Sequence, residues 1–243
     1  MHNRCFVVAA LGAVSLVAVA RADIIGSYAV TLSATDGVHS GSWNVPIGGL
    51  NQVGPNIWMW NGDYSSAPIN IVSSDASHTV LGQVSGMGVL YNGDPVISLG
   101  FSVFAGAATT TFNISSALMT IPTDLYTAQG SAGVTLTDTF GNGSTFAGLF
   151  PGGFGYEAYC NGNVIADLVP GFSTTTTVTQ SGAFGPFNVI ASSMRAAFSF
   201  QLTPFDSASG TSTYRKDLVP TPGTVTLMGI AGVTAMRRRH RRA

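Results

Sequence analysis

The sequence predicts an all-β protein built around a single antiparallel β-sandwich of jelly-roll-like form. Three observations carry this prediction. Apolar and polar residues alternate with a period of two over many short segments. Gly, Asn and Pro interrupt these segments roughly every 8–12 residues, the spacing typical of sandwiches. The composition, with 30 Gly and only 9% charged residues, is poor in the residues that favour helices.

The first half of the chain alternates clearly and has strong turn signals. In the first predicted strand, Tyr28, Val30 and Leu32 alternate with small or polar residues. Asn92-Gly93 between two apolar runs predicts a hairpin. The Gly-rich residues 46–55 predict a loop, and Asn61-Gly62-Asp63 predicts the end of a strand. The strands predicted here are, in order, 25–33, 38–45, 57–60, 68–72, 79–84, 87–91 and 96–104.

The second half repeats this pattern, and no helix is expected between Asp23 and Val219. Asn142-Gly143 and Asn161-Gly162 predict turns, and Ile121-Pro122 predicts a strand end because Pro lacks the N–H of a sheet ladder. The strands predicted here are 109–119, 131–140, 145–150, 154–160, 163–169, 174–179, 187–191 and 197–203. The β-body is thus expected over residues 23–206, and residues 207–218 are predicted to be a Ser/Thr linker.

The N-terminus has the pattern of a secretory signal peptide. Residues 5–20 form an uncharged apolar run after Arg4, and Ala20-Arg21-Ala22 is a small-x-small cleavage site before Asp23. We expect residues 1–22 to be a signal helix that the secretion translocon and signal peptidase recognise. The alternative, a retained anchor, is disfavoured because the run is shorter than the ~20 residues of a membrane span.

Residues 219–243 form a break, an apolar segment and a basic block. Two prolines in Val219-Pro220-Thr221-Pro222-Gly223 favour an extended backbone. The uncharged residues 224–236 would make a short transmembrane helix of about 20 Å. The basic stop that follows would stay in the cytoplasm, and it consists of Arg237, Arg238, Arg239, Arg241 and Arg242. The alternative, a buried core helix, is disfavoured by this density of charge.

This order of proline motif, apolar helix and terminal Arg cluster resembles the PEP-CTERM sorting signal of bacterial exported proteins. The usual core of that signal is Val-Pro-Glu-Pro, and Thr221 takes the place of the Glu. The resemblance covers about a tenth of the chain. It implies that an exosortase, a membrane protease-transferase, processes the chain after transient anchoring and releases or re-anchors it at the cell surface.

The charge balance of the middle differs from that of the whole chain. Most basic residues lie in the two ends, so residues 23–219 contain three basic and eleven acidic side chains, a formal charge of −8. Phosphate binding needs clustered Lys and Arg, so nucleic acid is excluded as a partner. The membrane remains a partner through the tail before processing, and exopolysaccharide is a further candidate.

Few residues of the middle carry a chemical signature. His39 and His78 are isolated, and neither has a metal-ligand spacing; no nucleophile elbow or phosphate loop is present. The turn acids Asp63 and Asp94 place oxygens near two predicted hairpins, but calcium needs six to eight ligands. The sequence therefore predicts no catalytic residue, no metal site and no cofactor. Cys160, in an apolar run, is expected to be buried.

Two tryptophans supply the one candidate binding feature of the middle. Trp58 and Trp60 are two residues apart and share one strand face, with Trp43 expected nearby. Exposed, they would form a stacking platform for sugar rings; buried, they would be core, as Trp usually is. We therefore expect a non-enzymatic cell-surface or extracellular-matrix protein, with a carbohydrate-binding module as the alternative.

Overall fold

The computed structural model describes residues 22–219, and nearly all of them lie in β-strands. Two short 3-10 turns, Ile47–Gly49 and Pro151–Gly153, are the helical elements of this part. None of its helices is long and apolar enough to cross a membrane. The strands are β1 Asp23–Thr35, β2 Ser40–Pro46, β3 Asn51–Gly54, β4 Ile57–Asp63, β5 Ile69–Val72, β6 Val80–Asn92, β7 Val96–Ala105, β8 Thr110–Thr137, β9 Ser144–Gly148, β10 Phe154–Cys160, β11 Asn163–Pro170, β12 Phe172–Thr174, β13 Thr177–Leu202 and β14 Ser207–Leu218.

All of these strands belong to one antiparallel sheet, which confirms the predicted all-β class. The main path of hydrogen-bonded neighbours runs β11-β10-β13-β8-β14-β7-β6-β4-β3, and β1 and β2 continue from the first half of β8. The predicted hairpins at Asn92-Gly93 and Asn161-Gly162 are present. In the second, Asn161 and Gly162 both have positive φ, the conformation that a two-residue hairpin requires.

Two long strands fold this sheet back on itself. The first part of β8, residues 110–120, pairs with β1 and with the last part of β13, whereas residues 124–137 pair with β14 and the first part of β13. The β8–β13 pairing shifts register between Ala191 and Ser193. Bulges of this kind bend a strand, so the β8–β13 ribbon is expected to change direction at this point. The arrangement is consistent with a β-sandwich.

Aromatic side chains from several strands pack together in the core. Phe101 of β7 contacts Phe198 and Phe200 of β13, with ring centroids 4.9 and 5.4 Å apart. Phe146 of β9 stacks on Phe200 at 4.6 Å. Tyr91 of β6 donates to the carbonyl of Ala29 in β1 at 2.6 Å. The core thus joins strands that are far apart in the sheet.

The predicted linker at residues 207–218 is wrong, because these residues form the central strand β14. It pairs with β7 on one side and with β8 on the other. Gly210, Ser212 and Tyr214 alternate with exposed Ser and Thr residues, so small polar residues lie on the outer face and the inner face is buried. The polar composition hid a strand with a period of two.

Three predicted strand boundaries are also wrong. Asn61-Gly62-Asp63 continues β4 and pairs with residues 86–88 of β6. Ile121-Pro122 interrupts the pairing of β8 but does not end the strand, because Pro122 lies where the β8–β13 register shifts. The predicted loop at residues 46–55 contains β3. In each case pairing with a neighbour overrides the local turn signal.

Candidate functional site

The predicted sorting and cleavage residues lie mostly outside the described part of the chain. Ala20, Pro220, Thr221, Pro222, Gly223 and the basic stop are outside it. Ala22 is buried, and Asp23 begins β1 opposite Thr120 of β8. Val219 donates its backbone N–H to the carbonyl of Leu125 at 3.0 Å. The first residue of the proline motif is therefore still bonded to the sheet.

Trp58 and Trp60 share one face of β4, as predicted, and both are half-buried. Trp43 lies near, as expected, with its ring centroid 5.7 Å from that of Trp60. Tyr64 completes the group, 6.1 Å from Trp43. The ring planes are tilted by 54° between Trp43 and Trp60 and by 82° between Trp43 and Tyr64. Trp43, Trp60 and Tyr64 therefore pack as a tilted cluster rather than as one flat platform.

The histidines and turn acids do not converge on a metal site. His39 contacts Asp36, with Nδ1 and Oδ2 3.0 Å apart, and its Nε2 is 4.0 Å from Oδ2 of Asp75. His78 is exposed. Within residues 22–219 no group of three or more His, Cys, Asp or Glu side chains is placed to hold a metal ion.

A broad trough of about 1070 Å³ crosses the outer face of the sheet. Strands β13, β8, β14, β7, β6 and β4 all line it, mainly with Gly, Ser and Thr, and its one charged residue is Asp63. The trough forms because residues such as Gly88, Gly100 and Gly133 lack side chains on that face. Apart from Asp63 and Phe101, the lining consists mainly of small neutral residues, which supply hydrogen bonds but no charge or aromatic surface.

A smaller cleft of about 360 Å³ brings together more distinctive groups. It lies where β2, β1, β8, β13 and β10 meet, and an adjoining cleft of about 350 Å³ shares two of its residues, Tyr159 and Arg195. The smaller cleft is lined by Thr31, Leu32, Ser33, Ser42, Asn44, Asn113, Ile114, Ser115, Phe150, Tyr159, Arg195, Ala197, Phe198 and Ser199. We call this the arginine cleft.

The pairing of β10 with β13 places an arginine on a tyrosine in this cleft. Tyr159 and Arg195 are directly opposite each other in the two strands. The guanidinium carbon of Arg195 lies 4.2 Å from the centroid of the Tyr159 ring, close enough for a cation–π contact. No carboxylate of residues 22–219 forms an ion pair with Arg195. Arg195 therefore lines the cleft without a carboxylate of the described residues paired to it.

A buried carboxyl group behind the tyrosine holds that ring. Glu157 is 3% exposed, and the Tyr159 hydroxyl donates to its Oε2. Burial raises the pKa of Glu157, and the carboxyl of Asp167, opposite it in β11, raises it further. Burial and the Glu157 carboxyl together raise the pKa of Tyr159 to about 12. The phenol thus remains a neutral donor to Glu157.

The cleft opens because the sheet ladder is interrupted beside Arg195. The pairing of β13 with β8 shifts between Met194 and Ala197. In the gap, the Ala196 N–H donates to the Ser116 hydroxyl at 3.1 Å. The β1–β8 pairing also shifts, between Ile25 and Val30. Bulges are common beside binding sites, where they redirect a side chain.

The sequence matches no protein-family model and no curated protein. The functional reading of the folded part therefore depends on its geometry. The sequence pattern did not single out Arg195, although one signal was present: it is the only basic residue between Asp23 and Tyr214. Its pairing with Tyr159 depends on register, which a sequence does not show.

Proposed function

We propose that the chain is an exported, non-enzymatic cell-surface or extracellular-matrix protein that is sorted by a PEP-CTERM-like C-terminal signal. In this proposal a jelly-roll-like β-sandwich lies between a signal helix and a short transmembrane helix. Signal peptidase acts before Asp23, and an exosortase-type enzyme acts near Pro220–Gly223.

One observation carries the proposal: both predicted cleavage points lie outside the strands. Within residues 22–219 the first strand, β1, begins at Asp23 and the last, β14, ends at Leu218. Cleavage at both predicted sites would leave every strand intact, including β14 in the middle of the sheet. The formal charge of −8 on residues 23–219 supports a soluble product that resists self-association.

The test is mass spectrometry of the protein recovered from its own cells. The expected mature product begins at Asp23 and has lost Ala243, with its new C-terminus near Pro220–Gly223. Deletion of Arg237–Arg242 should abolish membrane retention, and Thr221→Glu, which restores the usual motif, should be processed at least as completely. A mature chain that still ends at Ala243 would refute the sorting mechanism.

A carbohydrate-binding module using Trp58 and Trp60 is the second candidate. It is supported by the partial exposure of both indoles on one face of β4, and the tilted packing of Trp60 weighs against it. Soluble polysaccharide should quench the fluorescence of Trp58 if the platform exists. No quenching, in a protein whose Trp58→Phe variant identifies that signal, would remove the candidate.

A further inference from the structure

We infer that the arginine cleft binds an acidic saccharide, with Arg195 holding a carboxylate or sulfate and the surrounding Ser and Asn side chains binding sugar hydroxyls. This site is separate from Trp58 and Trp60 and does not depend on how the chain is exported. The inference starts from the Arg195 guanidinium, with which no carboxylate of residues 22–219 forms an ion pair.

A guanidinium carries five N–H donors in a planar fork and stays charged at all relevant pH values. The guanidinium carbon of Arg195 lies 4.2 Å from the centroid of the Tyr159 ring, and no carboxylate of residues 22–219 forms an ion pair with the group. Donors on a planar fork match two oxygens of a carboxylate or sulfate. Because Tyr159 is itself fixed by Glu157, the fork is held in place before a ligand arrives, which lowers the entropic cost of binding.

The lining around Arg195 favours a saccharide over a simple anion. Ser33, Ser42 and Asn44 project polar groups into the cleft, and none of them has a side-chain hydrogen bond among those found within residues 22–219. Phe150 adds an aromatic wall. Neutral donors and acceptors beside one aromatic surface suit the hydroxyls and the apolar face of a sugar ring.

The size and charge of the region set the length of the ligand. The arginine cleft is near the lower end of the range for small-molecule sites, which is about 300–1,000 Å³. It meets the adjoining cleft at Tyr159 and Arg195, so neighbouring sugar units can occupy both sides of the guanidinium. A long polyanion such as nucleic acid is disfavoured, because the surrounding body carries a formal charge of −8 and offers one free cation at this site.

The experiment is calorimetric titration of the full chain in neutral detergent at 0.15 M salt, where the screening length of about 8 Å weakens repulsion by distant charges. The probes are trigalacturonate, a sulfated carrageenan oligosaccharide, maltotriose and sodium sulfate. We expect saturable binding of trigalacturonate or of the sulfated oligosaccharide, and the stronger of the two identifies the anion. Maltotriose and free sulfate should each bind at least about tenfold more weakly, since each lacks half of the contacts.

The variants assign the binding to this cleft. Arg195→Gln should weaken binding by about tenfold or more, the effect of losing a charge-assisted pair of bonds. Arg195→Lys, which keeps the charge but loses the fork, should bind with an affinity between those of the unchanged protein and Arg195→Gln. Arg215→Gln is the matched control: it removes the same charge from an exposed ion pair with Asp217 and should change affinity less than twofold.

Three results would overturn the inference: no saturable binding of either acidic saccharide, equal binding of maltotriose, or equal weakening by Arg195→Gln and Arg215→Gln. Free sulfate binding as tightly as the oligosaccharides would also overturn it, because the site would then recognise an anion alone. If Arg195→Gln loses its β-type circular dichroism, Asn44→Ala replaces it. That change removes a half-buried lining amide and should weaken binding by several-fold.

Discussion

At the scale of single residues, two buried tyrosines differ in whether their hydroxyl groups are bonded. Tyr91 and Tyr214 are both 0% exposed. The Tyr91 hydroxyl donates to Ala29 and accepts from the Ala117 N–H at 2.7 Å. The Tyr214 hydroxyl has no hydrogen-bond partner among the described residues. A buried bonded hydroxyl stabilises a fold, whereas a buried unbonded one costs free energy.

We therefore predict opposite effects of the same substitution at these two positions. Tyr91→Phe should lower the free energy of unfolding by about 1–3 kcal/mol, because it leaves the Ala29 carbonyl and the Ala117 N–H unpaired. Tyr214→Phe should leave stability unchanged or raise it. Denaturant unfolding of both variants measures the difference, and equal destabilisation would contradict the prediction.

The Asp36–His39 contact predicts a local pH response. Hydrogen bonds from the backbone and side chain of His39 lower the pKa of Asp36 to about 2, and the Asp36 carboxylate raises the pKa of His39 above 6.5. The Asp36 carboxylate contributes stability to the folded state above pH 3.8, and this contribution is lost as the pH falls toward 2. The His39 imidazolium contributes stability below pH 6.5, and this contribution is lost as the pH rises through the folded pKa of His39.

Asp36→Asn should therefore lower the pKa of His39 toward 6.5. Proton NMR titration of the imidazole resonances measures it, with His39→Gln assigning the signal. Asp63→Asn is the control, since it removes the same charge outside this contact. A His39 pKa that is the same in Asp36→Asn and in the unchanged protein would show that the carboxylate does not hold the proton.

Cys160 and Lys216 show how burial depends on strand register. Cys160 is 3% exposed, which confirms the expected burial, and Lys216 is 2% exposed. The Lys216 ammonium donates to the Ser193 carbonyl at 2.8 Å, and burial lowers the pKa of Lys216. Lys216 is buried while its neighbour Arg215 is exposed because residues 207–218 form a strand, in which consecutive side chains face opposite sides.

At the scale of elements, β14 differs most from the sequence-based prediction, in which residues 207–218 were a linker. A linker would expose Arg215 and Lys216 to trypsin, because exposed flexible segments are the preferred sites of cleavage. In the structure both residues lie in or beside paired backbone, opposite Gln129 and Ala128 of β8. Together with Arg195 they are the only tryptic sites between Asp23 and Val219.

We predict that trypsin leaves the folded body intact. Digestion of the native full chain should show, by mass spectrometry, no cleavage at Arg195, Arg215 or Lys216. Heat-denatured protein is the control and should be cut at all three. Rapid native cleavage at Arg215 or Lys216 would mean that β14 is not held in the sheet.

The predicted turns differ in whether the fold agrees with the local sequence signal. Asn161-Gly162 joins adjacent strands with both residues at positive φ, so a local preference and the fold agree. Asn61-Gly62 is the same dipeptide but lies inside β4, where it pairs with β6. Gly62 is favoured there by space: an added Cβ would lie 2.6 Å from Trp60 and 2.7 Å from Tyr64. Packing, not turn geometry, accounts for that glycine.

At the scale of the whole molecule, Phe200 joins aromatic side chains of three other strands, β7, β8 and β9. It is 0% exposed and contacts Phe101, Phe112 and Phe146 at centroid distances of 4.6–5.6 Å. Phe200→Ala should lower the free energy of unfolding by about 3–5 kcal/mol, because it removes buried surface and leaves a cavity.

Phe140→Ala is the control for that prediction. Phe140 is 69% exposed and contacts one ring, that of Phe205. Its substitution should therefore lower the free energy of unfolding by about 1 kcal/mol or less. Thermal and denaturant unfolding compare the two variants. Similar small losses in both would mean that the Phe200 cluster does not hold these strands together.

The sequence by itself determined the all-β class, most strand positions, the acidic body and the candidate address segments at both ends. These features are readable because alternation, turn residues and charge runs are local. The candidate tryptophans were also visible, and so was their shared face, since both follow from spacing along one strand.

Only the tertiary structure decided the course of β8 and β13, the central place of β14 and the meeting of Tyr159 with Arg195. The physical reason is that strand pairing is non-local: Tyr159 and Arg195 become neighbours through the register of β10 on β13, and a shift by one residue would turn either side chain to the other face. The arginine cleft depends on strand register and bulges, and neither can be predicted from the residues that line it.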